Sequence, residues 1–345
     1  MAVMTYMEAS RQALIEEMRR DERVWAVGED LGRGGVFGQY KGLSEEFGPE
    51  RIADAPISEA CIMGAATGAA MMGSRPVVEM RFSDFALCAT DELVNQAAKA
   101  RYMFGGQTRV PLVVRQPIGM WRSSAAQHSQ SLESWYAHIP GLVVICPSTP
   151  ADNKGLLKSA IRCDDPVVYL EHKLLWPLEG EVPDGEDALV PIGEAKLVRR
   201  GTDLTLVSWS ATVHVALEAA SRLSESGIEV EVIDLRTLWP WDKRMVLESV
   251  RRTGRLLVAH EAVSVAGFGA EIVATVCENL HGHLRAPPVR VAAPRVHIGY
   301  APTLENEVRV TPQRLIDGAM KLLQRTASAR SGRAAADPGM DRRES

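Results

Sequence analysis

Residues 53–80 read ADAPISEACIMGAATGAAMMGSRPVVEM, and the fold class follows from them. Between Pro56 and Gly73 the only charged side chain is Glu59. Ser58 is placed to be the N-cap of a helix, with Glu59 in its first turn, where the helix dipole favours an acid. Gly73 closes the apolar segment, and RPVVEM (75–80) is a short apolar, β-branched run of strand type. Runs of the same kind recur outward from this point: VWAVGE (24–29), PLVVRQ (111–116), GLVVICP (141–147) and PVVYLEH (166–172). Longer helix-like stretches separate most of them. Continuous apolar strands alternating with helices imply an α/β fold whose mainly parallel sheets are flanked by helices.

The ends of several helices are marked. Thr5 and Glu8 fit a capping box, opening a helix to about Arg20. STPADNKGLLKSAIR offers Thr149 as N-cap, Pro150 at the first helical position and Asp152 at the third. DELVNQAAKARYMFGG reads as a helix stopped by a glycine pair. From Lys173 to Gly201 the texture changes to Pro, Gly and acid, as in a connector. Strand and helix patterns then resume with DLTLVSW, ATVHVALEAASRLSESG, IEVEVIDLR, RLLVAHE and PVRVAAP. The expected organisation is a first domain over 1–180, a linker over 181–200, a second domain over 201–325 and a disordered tail over 326–345.

Composition narrows the function. Hydrophobic residues make up 46% of the 345 and charged residues 24%, the balance of a globular protein. A net charge of −5 without a long basic run argues against nucleic acid or an anionic membrane as partner. There is no run of 18 apolar residues, so no membrane span is expected. The five cysteines include no C-x-x-C pair, which argues against a zinc site or a disulfide framework and for a reducing, cytoplasmic setting.

Two residues stand out as candidates for chemistry. Glu59 heads a nearly smooth surface made by Gly64, Ala65, Ala66, Gly68, Ala69 and Ala70. Such a surface admits another backbone or a flat ligand. Its carboxylate either stabilises the helix end or meets a heterocycle. His128, in SSAAQHSQSLESW, follows a strand as a loop residue would, and loops at the carboxyl ends of parallel strands form active sites. It is otherwise an ordinary structural imidazole. Phosphate loops fail on spacing: Gly32 and Gly34 give G-x-G, but position 37 is Phe. How a diphosphate would be held is not visible in this chain.

Taken together, PISEACIMGAATGAAMMGSRPVVEM, FSDFALCATDELVNQAAKARYMFGG, AAQHSQSLESWYAHIPGLVVICPSTPADNKGLLKSAIR, DDPVVYLEHKLLW and EVIDLRTLWPWD resemble the beta subunit of the thiamine-diphosphate-dependent 2-oxo acid dehydrogenases. The resemblance covers roughly residues 4–325. It implies a transketolase-like pyrimidine domain followed by a transketolase C-terminal domain. It also implies an alpha subunit that holds Mg²⁺ and the diphosphate, in an α2β2 assembly. On that resemblance Glu59 matches the carboxylate that bonds N1′ of the cofactor's aminopyrimidine. His128 matches the histidine that serves acyl transfer to the lipoyl group of a dihydrolipoyl acyltransferase. Phe85 matches the aromatic packed on the aminopyrimidine, with a core helix Phe as its plain alternative, and Ile57 matches a further pyrimidine contact. The backbone oxygens of Leu112, Ala160, Ile161, Cys163 and Asp165 match a potassium site found in some members, with Cys163 standing where Asp is common. Cys88 replaces a polar residue of pyruvate-specific members, and RVAAPRVHIGYAPTLE lacks the usual Thr-Pro-x-Pro run.

The substrate class implied is a short 2-oxo acid, pyruvate first, with acetoin or a branched-chain 2-oxo acid as alternatives. A self-sufficient transketolase-like enzyme would need a Gly-Asp-Gly motif, which is absent. A non-catalytic beta-like scaffold would not need both Glu59 and His128. An unrelated Rossmann-type module is disfavoured by the failed glycine spacing.

Overall fold

A computed structural model gives the structure of the chain over residues 1–185 and 188–334, the side chains of 325–334 excepted. Its strands in chain order are β1 Ala2–Thr5, β2 Val24–Gly28, β3 Ile52–Asp54, β4 Arg75–Glu79, β5 Val113–Ile118, β6 Val143–Ile145, β7 Val167–His172, β8 Glu179–Val182, β9 Lys196–Arg199, β10 Leu204–Ser208, β11 Val230–Asp234, β12 Thr237–Trp239, β13 Leu256–Val263 and β14 Val289–Ala293. Seven of them form one sheet in the order β12-β6-β7-β5-β4-β2-β3, and five form a second in the order β14-β13-β10-β11-β9. Within these two sheets pairing is parallel except at β12 with β6 and β9 with β11.

The central strands are buried on both faces, as parallel strands under two helical layers must be. Val77, Val113, Ile145 and Val167 face one apolar cluster. Their neighbours Val78, Val114, Val144 and Val168 face another, which also holds Val207, Ile233 and Val258 of the second sheet. One core therefore runs from the first sheet to the second.

The helix ends follow their side chains. The Tyr6–Arg20 helix starts on a complete capping box, with Glu8 N–H donating to Thr5 Oγ1 at 3.2 Å and Thr5 N–H to Glu8 Oε2 at 2.9 Å. The Pro150–Arg162 helix starts on Thr149, whose Oγ1 accepts from Asp152 N–H at 3.1 Å. The expected helix at DELVNQAAKARYM is of two kinds. Glu92–Ala97 is a π-helix and Ala98–Met103 an α-helix, closed by Gly105 and Gly106 at positive φ.

Three departures from the sequence expectation concern boundaries. The segment expected as a linker carries the end of β8 and the whole of β9. β8 pairs antiparallel with β1, and β9 closes the edge of the second sheet on β11; Glu186 and Asp187 lie outside the described residues. β12, from the second half of the sequence, joins the first sheet, where Cys146 N–H donates to the Arg236 carbonyl at 2.7 Å. The last helix, Pro312–Ala334, extends into the segment expected as a tail, because Ala and Arg there are good helix formers, and 335–345 lie outside the described residues. No described helix is long and apolar enough to cross a membrane.

Candidate functional site at the carboxyl ends of the seven-stranded sheet

β2, β3, β4, β5 and β7 run parallel, so their carboxyl ends open on one side of the sheet. The residues that follow them include Pro56–Glu59, Arg81–Phe85, Gly119–Gln130 and Lys173, and this is the side on which open parallel sheets place their ligands.

Glu59 is the first residue of the helix Glu59–Met71. Ser58 holds the N-cap position without capping: its Oγ donates instead to the Pro56 carbonyl at 2.9 Å. The PIS turn is thereby stapled to itself and the helix N-terminus stays open. Among the described residues no side chain or backbone N–H bonds the Glu59 carboxylate. Along the helix, Ala60, Cys61, Gly64, Ala65 and Gly68 are exposed, while Ile62, Met63, Ala66 and Ala70 pack inward. Ile57 is 78% exposed just ahead of it. An exposed Ile beside an unpaired carboxylate and a strip of small residues is a face with no cover of its own.

Phe85 opens the short helix Phe85–Ala89, which packs against the Glu59–Met71 helix. Its ring meets His128 edge-on at 5.1 Å, and Phe82 does so at 5.0 Å. Phe85 is only partly buried. The structure thus brings Phe85 and His128 into contact and sets Glu59 on the adjoining helix.

The His128 loop has no regular structure and holds Arg122, Ser123 and Ala125 at positive φ, a conformation that costs energy in non-glycine residues. Neighbouring elements hold it in place. Gln130 Nε2 donates to Asp84 Oδ1 at 2.7 Å. Met120 N–H donates to Glu261 Oε1 at 2.7 Å, and the same oxygen lies 3.0 Å from His172 Nε2. Burial raises the Glu261 carboxyl, but the His172 imidazole and the Met120 N–H outweigh it and hold its pKa below the ordinary value. Lys173 Nζ donates to the His128 carbonyl and stands 4.6 Å from the centre of the Phe82 ring. None of these supports was picked out from sequence. EHKLLW places His172 and Lys173 at a strand end, which is the one signal that pointed to them.

Of the five oxygens expected for potassium, two are bonded by Arg75. Its Nη1 donates to the Ile161 and Cys163 carbonyls, both at 3.0 Å, and its Nη2 to Asp164 Oδ1 at 2.6 Å. The Leu112 carbonyl accepts from Val167 N–H at 2.8 Å and that of Ala160 from Cys163 N–H at 3.1 Å. The Asp165 carboxylate pairs with Arg101 at 2.6 Å. A guanidinium already gives positive charge to two of the five oxygens, so a potassium ion there would meet a like charge. The donor set does not fit an open carbonyl cage.

Comparisons with known proteins show the family and the fold. The transketolase pyrimidine-binding domain matches residues 2–178, and the transketolase C-terminal domain matches residues 193–315. The chain is 44% identical over 326 residues to the 2-oxoisovalerate dehydrogenase subunit beta of Bacillus subtilis, covering 94% of this chain and 99% of that one. It is 47% identical to the acetoin:2,6-dichlorophenolindophenol oxidoreductase subunit beta of Cupriavidus necator, over 86% of this chain and 91% of that one. It is 45% identical to the pyruvate dehydrogenase E1 component subunit beta of Rhizobium meliloti, over 88% of this chain and 66% of that one. Among solved structures, an inactive beta4 tetramer of a split-gene transketolase superposes with a TM-score of 0.76 at 22% identity, over 94% of this chain and 99% of that one, which is a likeness of fold.

Proposed function

The chain belongs to the E1 beta subunits of the 2-oxo acid dehydrogenases, and from that premise we propose that it supplies the aminopyrimidine half of a thiamine diphosphate site shared with an alpha subunit. One observation carries the reading: Phe85 meets His128, and Glu59 heads the helix packed against that of Phe85, beside a face the chain leaves uncovered. The residues fit the group. An unpaired carboxylate at an open helix N-terminus suits a ring nitrogen that shares a proton. A partly buried Phe suits a flat heterocycle, and the small residues behind Glu59 allow close approach.

When bound, thiamine diphosphate supplies the carbon nucleophile and the electron sink for loss of carbon dioxide. The chain's own residues do the rest. Glu59 holds the proton at N1′ of the aminopyrimidine. Removal of water by a covering subunit strengthens that bond, since a hydrogen bond gains as the local dielectric falls. Phe85 orients the ring by packing against it. His128, carried on a loop pinned from three sides, moves a proton as the acyl group passes to the lipoyl sulfur. Magnesium belongs to the alpha subunit's share of the site. The substrate class is a short 2-oxo acid, with pyruvate as first candidate and branched-chain 2-oxo acids or acetoin as alternatives.

Reconstitution tests this. The chain is purified with its alpha subunit, given thiamine diphosphate and Mg²⁺, and assayed for decarboxylation of pyruvate and 3-methyl-2-oxobutanoate with an artificial acceptor, and for acetaldehyde release from acetoin. Turnover that requires both chains is the expected result, and the preferred substrate names the complex. A stable assembly that binds no thiamine diphosphate would overturn the reading in favour of a scaffold.

A further inference from the structure

β7 ends at His172, and the next side chain, Lys173, is entirely buried. Its ammonium bonds the His128 carbonyl and faces the Phe82 ring. Among the described residues no carboxylate lies within ion-pair distance of it. Burial pushes its pKa down to about 8, with Asp84, Glu261 and Glu305 acting from further off in the opposite direction. A buried cation without a paired anion is a cost to the fold. An aliphatic side chain would fill the space more cheaply. What the lysine adds is a fixed donor at one point of a strained loop, and that point is the backbone of His128. Phe82 links the two a second time, since its face meets the ammonium and its ring meets the imidazole.

We propose that Lys173 is a positioning residue for His128: it anchors the main chain from which the imidazole reaches the acyl-transfer step. The inference rests on the assignment of His128 to that step. It separates the two half-reactions, because decarboxylation depends on Glu59 and the cofactor, and only the transfer to lipoyl depends on where His128 stands.

The test is a double-mutant cycle in the assembled α2β2 enzyme, using Lys173→Met, Lys173→Gln, His128→Ala and Lys173→Met with His128→Ala. Each is read by reductive acylation of a lipoyl domain and by decarboxylation with an artificial acceptor. A misplacement of about 1 Å at a catalytic group costs on the order of 100-fold. Lys173→Met is therefore expected to slow acylation by about 10- to 100-fold while decarboxylation and thiamine diphosphate affinity hold. Lys173→Gln, which keeps a donor and loses the charge, recovers most of the rate. The double variant is no slower than His128→Ala, because a residue acting through another adds nothing once that other is gone. Unchanged acylation in Lys173→Met beside an impaired His128→Ala overturns the role of Lys173 and leaves that of His128 standing. Additive losses in the double variant overturn it as well. Normal acylation in His128→Ala removes the reading of His128 and this inference with it. Should Lys173→Met fail to assemble, Lys173→Gln paired with His128→Ala carries the same cycle, and additivity there is equally fatal.

Discussion

Replacing Arg115 by Met removes the cation from the middle of the most heavily charged part of the core. The Arg115 guanidinium is 1% exposed. Its Nη2 donates to Glu171 Oε2 at 2.6 Å and its Nε to the same oxygen at 3.1 Å, while its Nη1 stands 3.3 Å from Glu79 Oε2. Tyr40 bridges it to Glu79, donating at 3.0 Å, and Asn153 satisfies the other Glu171 oxygen at 2.9 Å. Met fills the stem's volume, so the loss is mainly electrostatic. Breaking a buried pair costs about 3–5 kcal/mol, because a charge is left without compensation. The pH dependence identifies which carboxylate bears it. Burial raises Glu79 to about 7, against the pull of Arg115. A raised carboxyl holds its proton in the native state after the unfolded chain has lost its own, so stability falls as pH rises from about 4.5 to 7. Without Arg115 the native pKa climbs further and that window extends upward. Between pH 7 and about pH 8.5 the variant's native state keeps a proton the parent releases, at 1.36 kcal/mol per unit, or about 2 kcal/mol in all. Urea unfolding of the Arg115→Met and parent proteins, at equal protein concentration and at pH 5.5, 7 and 8.5, measures this. A loss below about 1 kcal/mol, or one that does not grow with pH, would refute the reasoning.

Two further outcomes follow from the same structure. Glu59→Gln in the assembled enzyme should lower turnover by about 10²- to 10⁴-fold, the usual range for a lost proton-transfer group; its melting temperature should barely move, since a first-turn acid is worth about 0.3–1 kcal/mol, and normal turnover would remove Glu59 from the mechanism. Asp234, at the end of β11, accepts from Ser148 Oγ and from Arg236 N–H, the latter at 3.0 Å, and burial raises its pKa from 3.8 to about 7. The native state again holds the extra proton, so this group makes stability fall as pH rises from about 4 to 7; Asp234→Asn, whose oxygen can accept from Arg236 N–H and whose amide can donate to Ser148 Oγ, should flatten that slope in melting temperatures taken from pH 5 to 7.5, and an unchanged slope would show that Asp234 is ionised throughout.

Much of the fold was legible because the long parallel strands are apolar runs bounded by glycine, proline or charge. VWAVGE, RPVVEM, PVVYLEH and the later runs each became a strand within a residue or two. Among the strands not expected from sequence, two lack such a run. β8, EGEV, is mostly polar because only one side of it meets the protein, and β12 is three residues long. Their existence depends on partners distant in sequence, β1 and β6, and local pattern carries no trace of that. The π-helix at Glu92–Ala97 escaped for a different reason: its composition suits an α-helix equally well, and the side chains of Asn95 and Gln96, both bonded to Asp91, accompany the wider turn.

The candidate site divides along the same line. Glu59 was visible because charge is rare in its segment, and a carboxylate in apolar company needs a reason. Lys173 was not, although it is the more deeply buried of the two, because a lysine after a strand looks like a solvated end until the fold sets the His128 carbonyl and the Phe82 ring against it. The two also differ in what the chain does for them. Lys173 has its partners within the chain. Glu59, with the exposed Ile57 and the small residues behind it, has none among the described residues, and Ser58 bonds its own turn rather than closing the helix end. A fold that satisfies a buried ammonium with a carbonyl, yet leaves a carboxylate and its apolar surround open, is complete in its supports and incomplete in its binding face. That asymmetry suits the proposed site shared between two subunits, with the supports supplied by this chain and the open face left for a partner.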